Sequence, residues 1–256
     1  MRVCLLCVKY NLMREMVNRV TFLSNICFMI LNNATILVQW VILFGLRDDV
    51  GGYSMREIVL LWALTAASFG LSHILFARAF SLPELIIDGK LDAYLVQPKN
   101  VLVSVMTSAT DVSAIGDLLY GLALACVCGL HVKGFLLFLL FTLTGTVIFT
   151  SFSVLLGSLS FWFLRMDLLH GQAVMGMVSF ATYPDGIFTG VSRFLLYFVI
   201  PVGMAVWNPV HITVGFDAAM TVMVLGYAAV LALTAVCVFY RGLRKYASSS
   251  LMAARM

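Results

Sequence analysis

Charge is what this sequence has least of: only 11% of its 256 residues are Asp, Glu, Lys or Arg, where soluble domains carry roughly a quarter. Polar stretches are correspondingly short, and none could build a water-soluble domain, so any ATP hydrolysis or large ligand-binding domain would have to belong to another chain. A basic patch with interleaved aromatics is missing, which argues against a nucleic-acid partner. Cys4, Cys7, Cys27, Cys126, Cys128 and Cys237 lie in apolar or membrane-flanking sequence, where a thiol behaves as a small hydrophobe. The Cys4-x-x-Cys7 pair has no second Cys or His pair at zinc spacing, so neither a disulfide framework nor a metal site is expected. The sequence also lacks a Gly-x-x-x-x-Gly-Lys-Ser/Thr phosphate loop, a His-Glu-x-x-His pair and a Gly-x-Ser-x-Gly elbow. His73, His131, His170 and His211 are scattered near run boundaries. No catalytic residue and no cofactor is therefore expected on this chain. A cleavable leader is not expected either, because Arg2, Lys9, Arg14 and Arg19 precede any apolar run.

What is present is hydrocarbon. Apolar residues make up 62% of the chain, the mean hydropathy is +1.03, and six crossings of about 20 residues each would leave only short loops. In residues 1–19, Val3, Leu6, Cys7, Tyr10, Met13 and Val17 recur at helical spacing opposite Lys9 and Arg14, the pattern of an amphipathic helix lying on a membrane surface. Apolar runs follow at 20–46, 58–77, 101–130 and 135–163. Polar turns separate them, among them the cluster from Arg47 and Asp48 to Gly52 and the turn His131 to Gly134. The stretch 172–207 is too long for one crossing and is broken at Tyr183-Pro184-Asp185-Gly186, and a last run covers 211–240.

Basic residues concentrate on cytoplasmic loops and arbitrate the topology. If the broken stretch crosses once, only Arg47, Arg56, Lys133 and Arg193 of the 16 Lys and Arg fall outside. The expected fold is therefore all-α and membrane-embedded, a single transmembrane unit over 1–256 with six spans and both termini cytoplasmic. Residues 183–210 dip in from the outer side as a re-entrant segment packed against the bundle.

The longest cytoplasmic loop, within 78–100, is the most informative. Ser81 and Glu84 have capping-box spacing, Pro83 suits a first helical turn, and Gly89 can end the helix in a left-handed conformation. Leu82, Leu85 and Ile86 share one face, and Leu91, Tyr94 and Leu95 repeat the spacing before Pro98. Glu84, Asp88 and Asp92 make the other side acidic. Such a helix pair is either a cytoplasmic docking knob or an interfacial helix resting on headgroups.

The segment Ile87-Asp-Gly-Lys-Leu-Asp-Ala-Tyr-Leu-Val-Gln-Pro98 resembles the loop after the second span in permeases of type-2 ATP-binding-cassette (ABC) exporters. Tyr183-Pro184, Ile200-Pro201 and Asn208-Pro209 are similar in order and spacing to the external region of its small six-span branch, although Asp185 and Trp207 depart from that pattern. The resemblance implies a bacterial inner-membrane permease that exports a substrate, often hydrophobic or amphipathic, by alternating access. It implies a dimer of two permeases, identical or homologous, resting on a cytoplasmic ABC ATPase dimer that binds ATP and Mg. On this reading Glu84, Asp88 and Asp92 are candidates for polar contacts with the ATPase, Leu91 and Tyr94 for apolar anchors, and Gly89 for the turn.

Within the membrane, Asn25, Asn32 and Gln39 recur every seven residues with Thr35 beside them. A polar stripe of this kind faces another helix, a second subunit or the transport path. Thr142, Thr146, Thr150, Ser153, Gly157 and Ser160 form a row of small residues expected to let helices approach closely. Asp111 and Asp117 are costly near mid-bilayer; Asp117 belongs either to the substrate path or to a hydrogen-bonded structural role. Asp217 and Arg193 are placed to pair across the dip. The rival readings are an ion-coupled secondary transporter or channel using Asp111, Asp117 and Asp217, and an intramembrane enzyme, for which no nucleophile, base or metal set converges.

Overall fold

The computed structural model describes residues 2–46, 49–163 and 166–246. Arg47, Asp48, Arg165 and Arg255, used above in the turn or the charge asymmetry, lie outside the described residues, as do the side chains of Arg2, Val3 and Cys4. The described residues form helices and turns with no strand. In order the α-helices are α1 (Arg2–Glu15), α2 (Arg19–Phe44), α3 (Met55–Phe76), α4 (Leu82–Ile87), α5 (Asp92–Leu95) and α6 (Val101–Met106). They continue with α7 (Ala114–Val127), α8 (Val132–Ser158), α9 (Met166–Ala181), α10 (Gly190–Phe198), α11 (Asn208–Val214) and α12 (Ala218–Leu243).

Four of these helical stretches are long and apolar enough to cross a membrane: α2, α3 continued to Ile87, α8 continued to Phe161, and α12. A fifth candidate is the pair formed by α10 and Gly203–Val214, bent by 70°. The run at 101–130 is not one helix. It breaks between Met106 and Ala114, leaving α7 with 14 residues, about 21 Å at 1.5 Å per residue and short of a hydrocarbon core of roughly 30 Å. The cause is local. Thr107 and Ser108 turn their hydroxyls back onto Val103 O and Val105 O, and Asp111 accepts from both the N–H and the hydroxyl of Ser113 at 2.9 and 2.7 Å. Short polar side chains compete in this way with the helix ladder. Asp111 is thus a loop residue, whereas Asp117 sits in the first turn of α7.

The bundle is ordered α2 on α7, α7 on α3, α3 on α8, and α8 on α12. Glycine sets the closest of these approaches: a Cβ at Gly121 would lie 2.5 Å from Ala63 O on α3, and one at Gly116 would lie 2.7 Å from Ile26 O on α2. The small-residue row of α8 is buried as its spacing predicts. Thr146 donates to Ser68 O at 3.2 Å and Ser153 to Ala79 O at 3.0 Å, and His170 Nε2 of α9 lies 2.8 Å from Ser153 Oγ.

Helix starts differ from expectation in one place. The Ser81–Glu84 capping box is not formed, because a 3-10 turn, Ala77–Ser81, runs straight into α4 and leaves no free helix start for a side chain to cap. Ser81 Oγ donates instead to Arg78 O at 3.4 Å. A capping box does form at the other end of α3, where Ser54 and Glu57 bond reciprocally. Helix α1 stops at Glu15, and Asn18 begins α2 by accepting from Thr21 N at 3.3 Å. Leu6, Tyr10, Met13 and Val17 of the expected apolar face are exposed.

Candidate functional site

The loop between α3 and α6 has one face inside and one outside. Leu82, Leu85, Ile86 and Leu91 are buried in a core of their own with Leu102 and Val105 of α6, Val154 of α8, and Ala235 and Phe239 of α12. Gly157 of α8 lets this happen: its Cβ position lies 3.1 Å from Leu82 Cβ. Gly89 has φ +70°, and its N–H bonds Ile86 O at 3.3 Å, so the chain reverses there as its sequence predicts. Glu84 and Asp88 face outward and exposed; Asp88 holds Lys90 at 2.7 Å, an exposed pair of small energetic consequence. Leu91 is fully buried and Tyr94 half-buried, its hydroxyl donating to Ser108 Oγ at 2.9 Å. Both tether the loop to this chain. Asp92 is half-buried beside Tyr246. Burial, with the Asp92 carboxylate next to it, pushes the Tyr246 hydroxyl up to about 12, tying the loop to the segment after α12.

The polar stripe of α2 lies on the helix's open side: Asn25, Thr35, Asn32 and Gln39 are all exposed. Only 11% of the most apolar part of α2 is buried, against 78% for α3. The structure does not bring the stripe together with Asp117. The partner of Asp117 is Asn33, one step around the helix from Asn32 and buried, whose Nδ2 donates to Asp117 Oδ1 and to Met29 O. Tyr120 closes the group by donating to Asn33 O at 3.3 Å. Asp117 Oδ2 is buried with no partner among the described residues. The sequence signal for Asn33 is the need of a carboxylate in an apolar run for a donor, whereas the heptad of Asn25, Asn32 and Gln39 marks a different face of α2.

At the opposite end of the bundle Asp185 organises the Pro-marked region. It is 5% exposed and accepts from Arg193 at 2.6 Å, Tyr53 at 3.0 Å and Tyr197 at 3.1 Å. His211 Nε2 lies 2.8 Å from the same Tyr53 hydroxyl. Burial alone would raise this carboxyl; the His211 ring nitrogen 3.8 Å away, hydrogen bonds from Tyr53 and Tyr197 and the Arg193 charge outweigh it and hold the group down at about 2. The expected Asp217–Arg193 pair is not formed. Arg193 is taken by Asp185, and Asp217 caps α12 by accepting from Ala219 N and Met220 N. Trp207 is fully buried, stacks on Phe188 and donates to Tyr183 O at 2.8 Å. Asp185 and Trp207, the two departures noted in the sequence, thus hold this region together. No group of three metal-ligating side chains occurs among the described residues.

The described residues thus form a hub of apolar helices with an acid-edged loop at one end. The family model described as "ABC-2 family transporter protein" matches residues 30–250. The chain belongs to the ABC-2 transporter family. No curated protein and no solved structure matched it. This ABC-2 chain is a multi-pass membrane permease component, partnered in its transporter by an ATPase subunit. The match begins inside α2 and leaves α1 outside it.

Proposed function

We propose that this ABC-2 permease exports a hydrophobic or amphipathic substrate by alternating access and receives its force through the loop at 81–98. One observation carries the reading. The apolar face of the loop is sealed into a small core shared with α6, α8 and α12, while Glu84 and Asp88 project outward. A push on the acidic edge is then delivered to the ends of two long helices, because a packed core transmits displacement instead of absorbing it. In this reading ATP and Mg are bound by a cytoplasmic ATPase dimer, and Glu84, Asp88 and the accessible part of Asp92 meet it. Leu91 and Tyr94 anchor the lever to the permease, and Gly89 sets its angle.

The same proposal has six spans in a bacterial inner membrane with both termini cytoplasmic, α1 on the membrane surface and 183–210 as the re-entrant segment. The shortness of α7 and the 70° bend after α10 suit spans that are completed by neighbouring backbone buried in protein. A second permease, identical or homologous, covers the stripe of Asn25, Asn32 and Gln39, since amides left against lipid find no partner. Asp117 with Asn33 lies behind that interface.

Purification from native membranes in mild detergent tests the reading. A stoichiometric ATPase should accompany the chain and be lost in Glu84→Lys with Asp88→Lys, with membrane insertion unchanged. Retention of the ATPase by that variant, or substrate uptake by the purified chain on an ion gradient without ATP, would refute it.

A further inference from the structure

At the end of the bundle opposite the loop, a cavity of about 350 Å³ lies between the start of α3, the turn before α8 and the α11–α12 junction. Its rim carries Arg56, His131 and Lys133, and its wall Leu137, Ile212 and Phe216. No carboxylate lines it among the described residues. The two acids nearest in sequence are occupied elsewhere: Glu57 bonds Ser54 N at 2.8 Å and Ser54 Oγ at 2.7 Å, and Asp217 caps α12. Neither Arg56 nor Lys133 has an ion pair with a described residue. Arg56 is held in place by Cys128 O at 3.1 Å and Gly129 O at 3.4 Å, and the Lys133 ammonium sits 4.2 Å over the Phe216 ring, an attraction that fixes a cation without neutralising it. The α8 N-terminus opens at the same place, and His131 supplies no side-chain cap to it, so the positive end of the helix adds to the field.

Two cations, Arg56 and Lys133, with the His131 ring beside them, no carboxylate among the described lining residues and apolar residues around them match an anion that carries a hydrocarbon part. We propose that this pocket binds a phosphate-type oxyanion, seated between Lys133, His131 and Arg56, with the apolar remainder of the ligand along Leu137, Ile212 and Phe216. The same chemistry is offered by an anionic lipid headgroup and by free phosphate, and the cavity lies in the size range of small-ligand sites. This site stands apart from the ATPase-coupling loop and does not depend on how transport is driven.

The full chain in detergent, examined by native mass spectrometry with phosphatidylglycerol, phosphatidylcholine or inorganic phosphate, tests the assignment. Phosphatidylglycerol should bind in preference to phosphatidylcholine, about fivefold more weakly in Lys133→Gln, and recover in Lys133→Arg. His131→Gln gives a second variant that leaves the Arg56 clamp untouched. Binding of inorganic phosphate with the same Lys133 dependence, but no preference among lipids, would support the oxyanion site and identify a soluble source. Equal binding of both lipids with no effect of Lys133→Gln, or no binding of any probe, would overturn it.

Discussion

Asp117 and Asn33 carry opposite obligations: a carboxylate inside the bundle needs a donor, and an amide there needs an acceptor. Each supplies the other. Interhelical hydrogen bonds in membranes are worth about 0.6 kcal/mol on average and up to about 1.7. A double-mutant cycle with Asn33→Ala and Asp117→Ala, read by thermal unfolding in detergent, should therefore give a coupling of about 1 kcal/mol; additive effects would contradict the contact. Asp185 makes a pH-dependent contribution of known sign. Its carboxyl is held at about 2 in the folded chain against an ordinary value of about 3.9. Its stabilisation, about 2 kcal/mol at order of magnitude, is fully present above about pH 5 and is lost as pH falls through about 2. Asp185→Asn should lower the melting temperature at pH 7 and flatten its acid dependence between pH 5 and 2. An unchanged acid slope would show that the cluster does not hold this end of the bundle.

The elements whose signals lie in periodicity and turn residues were legible in the sequence. The apolar face of Leu82, Leu85, Ile86 and Leu91, the reversal at Gly89 and the small-residue row of α8 all appear where their spacing puts them. What the sequence concealed depends on competition between local and tertiary bonding. Thr107 to Ser113 read as part of one apolar run, yet their hydroxyls and Asp111 end the helix. Ser81 and Glu84 have the spacing of a cap, yet the preceding 3-10 turn makes a cap redundant. Asn33, Tyr53 and Tyr197 as partners of buried acids could not be read from spacing, because their partners lie far away in the chain. Gly157 tests the lever at the scale of elements. A leucine side chain there would strike Leu82, 3.1 Å from the glycine's Cβ position. Gly157→Leu should leave the ATPase bound while transport per ATP hydrolysed falls severalfold; unaltered coupling would mean that the loop does not act through α8.

At the scale of the molecule, the two outer helices, α2 and α12, are the least covered, and of the two α2 carries amides on its open face. With 11% of its apolar stretch buried and Asn25, Asn32 and Gln39 on the open face, α2 needs a polar neighbour. In the proposed assembly with a second permease, replacing the three together by leucine should preserve insertion and release the partner permease on sizing in detergent, whereas an undiminished assembly would place the interface elsewhere. The central claim, that force enters this permease through the outward edge of the loop, is tested most directly by a photo-crosslinking residue at position 84 or 88 in native membranes. The account predicts an adduct with an ATP-hydrolysing subunit at both positions and none at position 193, at the other end of the bundle. Adducts with lipid alone at 84 and 88 would contradict it.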